Sequence, residues 1–196
     1  RFFTRLAQRV IHILSTNMMG GRLYEVDLRL RPNGDSGLVV TSAQALERYL
    51  KHDAWTWEHQ ALVRARVVAG APELFTQVDA LRAEVLSTRR DDVSLADDVT
   101  AMRQKMRDHS PAVGDASRRV ALKYGRGGIV DIEFVVQYLV LKHAAHYPDV
   151  GRWSDVVRIL EALEACRILS SSDASSLKEA YLGLRSSVHR AAVSNA

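Results

Sequence analysis

Tyr24-Glu25-Val26-Asp27-Leu28-Arg29-Leu30-Arg31-Pro32 alternates apolar and charged side chains at the two-residue period of a half-buried strand. Tyr24, Val26, Leu28 and Leu30 fall on one face, and Glu25, Asp27, Arg29 and Arg31 on the other. That charged row suits a divalent cation held beside phosphate-binding groups. It suits equally a solvated strand face with internal ion pairs, the ordinary pattern of a one-sided sheet. Pro32 ends the strand because it cannot donate to a central ladder.

On the C-terminal side, residues 33–37 are dense in turn formers and residues 38–41 read as a short second strand, so a hairpin is expected. On the N-terminal side, Phe2, Leu6, Val10 and Leu14 have helical spacing over residues 1–16, closed by Asn17 and the Gly20-Gly21 pair. The chain begins without methionine and inside this helical pattern, so it is expected to be part of a longer protein. Ser42 is placed to cap a helix over 43–51, and Asp53 one over 54–69 that stops at Gly70. On the second of these, Trp57, Ala61, Ala65 and Val68 form the expected core stripe.

Beyond Pro72 only helices are expected. Leu74, Val78, Leu81 and Val85 mark one over 73–88, and Leu95, Val99, Met102 and Met106 another over 94–109. Arg89-Arg90-Asp91-Asp92 between them reads as a solvated connection. Residues 110–119, with Pro111 and Gly114, read as a loop, and 120–123 as a short extended segment before Gly125, Gly127 and Gly128. Residues 129–146 form a helix apolar on most of its circumference. Ser154 caps a helix to about residue 169, and the last helix begins at Ser172 or Asp173.

With 47% hydrophobic and 26% charged residues among 196, the chain has the composition of a globular protein with a real core. Its net charge of +4 comes from 27 basic and 23 acidic residues. That balance is too mixed to argue for nucleic acid. No apolar run approaches the roughly 18 residues of a membrane span. The single cysteine, Cys166, excludes an internal disulfide, fits a reducing compartment such as the cytoplasm, and reads as a small buried hydrophobe.

Two further stretches hold groups capable of chemistry. At the glycine turn, Lys123 and Arg126 are better phosphate candidates than the helix terminus, because Asp131 and Glu133 already answer its positive end. Glu133 and Gln137 lie one turn apart on the apolar helix and need partners there. They belong either to a hydrogen-bond network joining this helix to the α/β part or to a carboxylate site. In residues 55–66, Arg64 and Arg66 are suited to forked anion binding. His59 stands alone, without a second histidine or cysteine at zinc-ligand spacing, and no nucleophile elbow supports triad chemistry.

Three segments, YEVDLRLRPNGDSG (24–37), AWTWEHQALVRARVVAG (54–70) and LKYGRGGIVDIEFVVQYLVL (122–141), together resemble the bacterial glutamine-synthetase adenylyltransferase and adenylyl-removing enzyme family. The resemblance runs from the first helix to the region of Tyr181 and His189, and Trp55-Thr56-Trp57-Glu58-His59-Gln60 looks like the C-terminal, adenylylating half. It implies an α+β, mostly helical chain. Residues 1–89 would be a truncated polymerase-β-like nucleotidyltransferase domain, and residues 90–196 an all-α helical bundle. The family reaction transfers AMP from ATP to a tyrosine of glutamine synthetase with Mg2+, releasing pyrophosphate. Asp27 matches the third metal-binding carboxylate of that fold, which makes it the catalytic and metal residue. Arg29, Arg31, Lys123, Arg126 and Glu133 become candidates at the nucleotide site.

The departure from the family lies upstream of Asp27, where no Asp-x-Asp occurs and residues 1–21 contain no acid. The fragment alone is therefore expected neither to hold the metals nor to transfer AMP. Glutamine synthetase and a PII-type signalling protein are the implied partners, with no membrane or nucleic acid. The alternatives are the adenylyl-removing half of the same enzyme and a non-catalytic helical module that binds a PII-type protein.

Overall fold

Nearly all regular structure in the computed structural model is helical. The model describes residues 1–22, 26–28, 31–32, 34, 37–109 and 118–193. In order these form α1 (Phe2–Ser15), β1 (Asn17–Met18), β2 (Gly21–Arg22), α2 (Ala43–His52), α3 (Thr56–Val63) and α4 (Pro72–Leu86). There follow α5 (Asp92–Asp108), α6 (Arg118–Tyr124), α7 (Ile129–His143), α8 (Asp149–Arg152), α9 (Val156–Ala165) and α10 (Ser171–Val193). By their contacts the residues divide into two units, Arg1–Ala54 and Trp55–Ala196. The junction expected at residue 89 falls inside the second unit.

In the first unit, α1 follows its apolar spacing and closes where Ser15 Oγ and Thr16 Oγ1 donate to the Ile11 and His12 carbonyls. Phe2, Leu6 and Val10 remain exposed. The glycine pair makes a tight hairpin, with Asn17 opposite Arg22 and Met18 opposite Gly21, whose φ of +97° suits only glycine. Ser42 caps α2 as expected, accepting from the Ala45 amide at 3.1 Å.

The strand expected at 24–32 does not form in its described part, residues 26–28 and 31–32. Nor do the described residues at 38–41 form its partner. A half-buried strand needs a neighbouring ladder, and among the described residues the only ladder is the β1–β2 hairpin. The chain curls instead. The Arg31 guanidinium donates to the carbonyls of Leu28 (2.6 Å) and Gly37 (3.2 Å). The Gly34 and Gly37 amides close successive turns onto Arg31 and Gly34. A Cβ at Gly37 would run into the Pro32 carbonyl, so the curl requires glycine there. Tyr24, Glu25, Arg29 and Leu30 lie outside the described residues, as do Pro111 and Gly114. The helical character of the chain holds; the polymerase-β-like sheet is not seen among the described residues.

The second unit packs around α7, whose Ile132, Val136, Val140 and Leu141 are buried as its all-round apolar sequence requires. Leu95 and Val99 of α5, Leu86 of α4, Ile159, Leu160 and Leu163 of α9 and Tyr181 of α10 complete one core. Cys166 ends α9 half-buried against it.

Several expected boundaries move. The helix expected over 54–69 is only α3. It is capped by Glu58, whose Oε2 accepts from the Trp55 amide at 2.9 Å, rather than by Asp53. It stops at Val63 because Arg82 takes the Leu62 and Val63 carbonyls. With the helix cut short, Ala65 and Val68 are exposed, and the buried face is Glu58, Gln60 and Val63. Arg90 is no solvated connector. It donates to the Val85 and Thr88 carbonyls at 2.8 and 2.7 Å, closing the end of α4, and burial pushes its pKa down to about 10.

Asp91 caps α5 through the Ser94 amide, and Asp155 rather than Ser154 caps α9. Residues 120–123 are helical within α6, not extended. Four residues carry too little periodicity to decide, and α6 packs on α7 and α10, ending where the Gly125 amide bonds the Ala121 carbonyl.

Candidate functional site

The glycine turn between α6 and α7 is built from backbone approach. A Cβ at Gly128 would lie 2.8, 2.9 and 3.0 Å from the carbonyl oxygens of Leu122, Gly125 and Lys123. Gly127 has φ +70° with open space around it. Gly128→Ala is therefore expected to cost about 1–3 kcal/mol, since backbone must shift. Gly127→Ala, strained only in φ, is expected to cost about 1 kcal/mol. Urea unfolding of both variants checks this ordering. Lys123 and Arg126 flank the turn and are exposed, with Lys123 Nζ 5.1 Å from the Tyr124 ring centre.

Asp131 holds the turn from within α7. Its carboxylate accepts from the Gly127 amide (2.7 Å), from Arg103 Nε (2.5 Å) and from Arg107 Nη2 (3.1 Å). Arg103 also donates to the Tyr124 carbonyl at 2.7 Å and lies 5.9 Å from the Phe134 ring centre. Burial alone would raise the Asp131 pKa. The Gly127 hydrogen bond and the two guanidiniums outweigh it and hold the carboxyl below the usual carboxylate range. Asp131 thus reaches back to the glycine turn and two arginines, more than answering its own helix terminus.

Glu133 sits farther along α7, where its Oε1 accepts from Arg64 at the end of α3 and from Tyr181 Oη of α10 at 3.3 Å. Burial raises the Tyr181 pKa, and nearby Glu133 adds to the rise while Arg64 and Arg185 oppose it. One turn on, Gln137 Oε1 accepts from Gln60 Nε2 at 3.2 Å. The polar pair of α7 is therefore a hydrogen-bond network that joins α7 to α3 and α10. His59 belongs to a neighbouring contact, its Nδ1 3.3 Å from Arg90 Nη2.

In the first unit, Asp27 is exposed on irregular backbone and Arg31 is half-buried within its curl. Arg29 lies outside the described residues. The expected site residues thus fall into two sets: Asp27 and Arg31 in one unit, and Lys123, Arg126 and Glu133 in the other.

Over residues 1–81 the chain matches the family model described as glutamate-ammonia ligase adenylyltransferase. Over residues 100–192 it matches the one described as GlnD PII-uridylyltransferase. The chain resembles nucleotidyltransferases of nitrogen regulation. Each match takes in less than half of the chain, and the adenylyltransferase match contains Asp27, Arg29, Arg31 and all of α3. The uridylyltransferase match contains Asp131, Glu133, Tyr181 and the glycine turn. This second likeness was not read from the sequence.

Arg82, Arg103 and Arg107 were also missed. Their signal was available, because Arg82 lies between Val78 and Leu86, and Arg103 follows Leu95 and Val99, on apolar lines of period four. An arginine on such a line is buried only if carbonyls or carboxylates await it, and those come from other elements. No helix among the described residues is long and apolar enough to cross a membrane.

Proposed function

We propose that this chain is part of an enzyme that transfers AMP from ATP to a tyrosine of glutamine synthetase, in the adenylylating half. The observation that carries this reading is the adenylyltransferase match over residues 1–81, which includes the Asp27–Arg31 segment. In this reading residues 1–89 are the nucleotidyltransferase part and residues 90–196 the helical bundle. That functional division differs from the packing division at Ala54. In this reading Arg29 and Arg31 of the first unit, and Lys123 and Arg126 of the second, are the candidate phosphate-binding charges, and Glu133 holds Arg64 at the end of α3.

Asp27 is one metal ligand of the proposed site. Among the described residues no group of three or more His, Cys, Asp or Glu stands where it could hold a metal ion. Mg2+ asks for several oxygen ligands and gives up water reluctantly, so it does not fit these residues alone. In this reading the other carboxylates of the metal site belong to an Asp-x-Asp, which residues 1–22 do not contain.

In a longer chain that carries an Asp-x-Asp, Asp27→Asn is expected to lower adenylylation of glutamine synthetase by about 100-fold or more. Each activity is to be assayed separately. Retained adenylylation with lost adenylyl removal would transfer the assignment to the other half. The likeness of residues 100–192 to a PII-uridylyltransferase supports a second reading, in which the helical part binds a PII-type protein. Capture of such a protein that is unaffected by Asp27→Asn would favour it.

A further inference from the structure

We infer that Arg64 and Arg185 form a binding site for the polyphosphate group of a nucleotide, with Glu133 and Tyr181 as the residues that position Arg64. The site is read from geometry, and the choice of a nucleotide as the source of the phosphates rests on the adenylyl-transfer reading. All four side chains belong to the second unit.

Arg64 stands at the C-terminal cap of α3, and its side chain is 37% exposed. Among the described residues its guanidinium is engaged only through Nη1, on Glu133 Oε1. Nε and Nη2 are left, and they form the side-on fork that takes two oxygens of one anion. Arg82 and Arg103 differ, because their guanidiniums are spent on carbonyls and a carboxylate within the protein. Arg64 keeps its fork open in a side chain that solvent reaches.

The arginine is also held in place. Tyr181 is a core residue, 1% exposed, and donates its hydroxyl to the same Glu133 Oε1 at 3.3 Å. Support therefore runs from a buried ring through one carboxylate to an accessible guanidinium, which restricts the arginine before any ligand arrives. An ion pair as exposed as this one stabilises a fold little, so stability alone does not account for it.

Arg185 lies one turn beyond Tyr181 on α10 and sets a second guanidinium 5.5 Å from the Tyr181 ring centre. The Tyr181 hydroxyl feels both arginines, so both lie near the one carboxylate. Two positive charges against one negative leave the site cationic. A carboxylate ligand offers two oxygens and is satisfied by a single fork. A polyphosphate has the oxygens and the charge to engage both arginines.

The test titrates the 196-residue chain with inorganic pyrophosphate, ATP and acetate, following the guanidinium Nε–H resonances of Arg64 and Arg185 by NMR. It needs neither metal nor AMP transfer, so a failed transfer assay and a failed titration are separate results. Pyrophosphate and ATP are expected to saturate and to move both resonances, with acetate at least about tenfold weaker. Arg64→Gln and Arg185→Gln should each weaken pyrophosphate by about tenfold. Tyr181→Phe should weaken it by about threefold. Glu133→Ala removes a negative charge, so charge alone would tighten binding, whereas lost positioning should weaken it by about threefold or more. Arg185 is exposed, so its variant keeps the test valid if a change at Glu133 or Tyr181 disturbs folding. No saturable pyrophosphate shift up to about 10 mM would overturn the site. Undiminished binding by Arg64→Gln would overturn its location, and tighter binding by Glu133→Ala would overturn the positioning role. Acetate as tight as pyrophosphate would overturn the ligand class, and pyrophosphate binding without ATP binding would overturn the nucleotide.

Discussion

Arg82→Met is expected to lower the unfolding free energy by about 3–5 kcal/mol. The guanidinium is buried and donates to four carbonyls on two segments. Nε bonds Leu62 at 2.8 Å, Nη1 bonds Gly151 at 2.7 Å, and Nη2 bonds Val63 and Trp153 at 2.6 and 3.0 Å. Burial disfavours its charge and lowers its pKa, with Asp79 opposing the shift, so the charged form persists because the carbonyls replace its water. Methionine fills similar space but removes the donor to the Val63, Gly151 and Trp153 carbonyls, while the Leu62 carbonyl keeps the Ala65 amide. Lysine restores the charge without the fork and should recover less than half of the loss. Arg152, exposed over the Trp153 ring at 5.1 Å, is the control, and Arg152→Ala should cost under about 1 kcal/mol. Thermal unfolding gives the readout. A fall in Tm of only a few degrees for Arg82→Met would mean that water or neighbouring groups satisfy those carbonyls.

Asp131→Ala is expected to cost about 3–4 kcal/mol, because it strands Arg103 as a buried unpaired charge and removes the acceptor of the Gly127 amide. Asp131→Asn keeps an acceptor and should lose about half as much. The two variants also differ from the parent in their pH dependence. The folded-state pKa of Asp131 lies below its unfolded value, so its contribution is fully present above the ordinary carboxylate pKa of about 3.9. It is lost as pH falls through the lower folded value. Urea unfolding at neutral pH and on the acid side of pH 4 should therefore show the gap between parent and Asp131→Asn narrowing with acid. A constant gap would mean that Asp131 is not held ionised by its arginines.

Local pattern was enough for the helices whose faces are long and periodic. Leu95 and Val99 face the core in α5, and the apolar circumference of α7 makes it the central helix. Ser42 capping α2 and the Gly20-Gly21 turn after α1 were equally readable, because caps and positive-φ turns depend on a few adjacent residues. Two sorts of feature escaped. The alternation over residues 24–32 predicts a strand, but among the described residues its part joins no ladder, and the Arg31 guanidinium takes the Leu28 and Gly37 carbonyls. The arginines that sequence leaves at the surface or passes over are structural, because Arg82, Arg90 and Arg103 find acceptors at Gly151, Leu141 and Tyr124, far away in the chain.

The candidate site divides in the same way. Glu133 and Gln137 were marked as groups needing partners by their place on an apolar helix. Tertiary packing chose Arg64, Tyr181 and Gln60 to meet that need. By itself the sequence determined the long periodic helices, the glycine turns beside them and which polar groups could not be buried alone. Only the tertiary structure decided which charges pair and where an arginine becomes part of the core. Hydrophobic periodicity is a property of neighbouring residues. A buried guanidinium depends on carbonyls and carboxylates that folding brings together from distant ones.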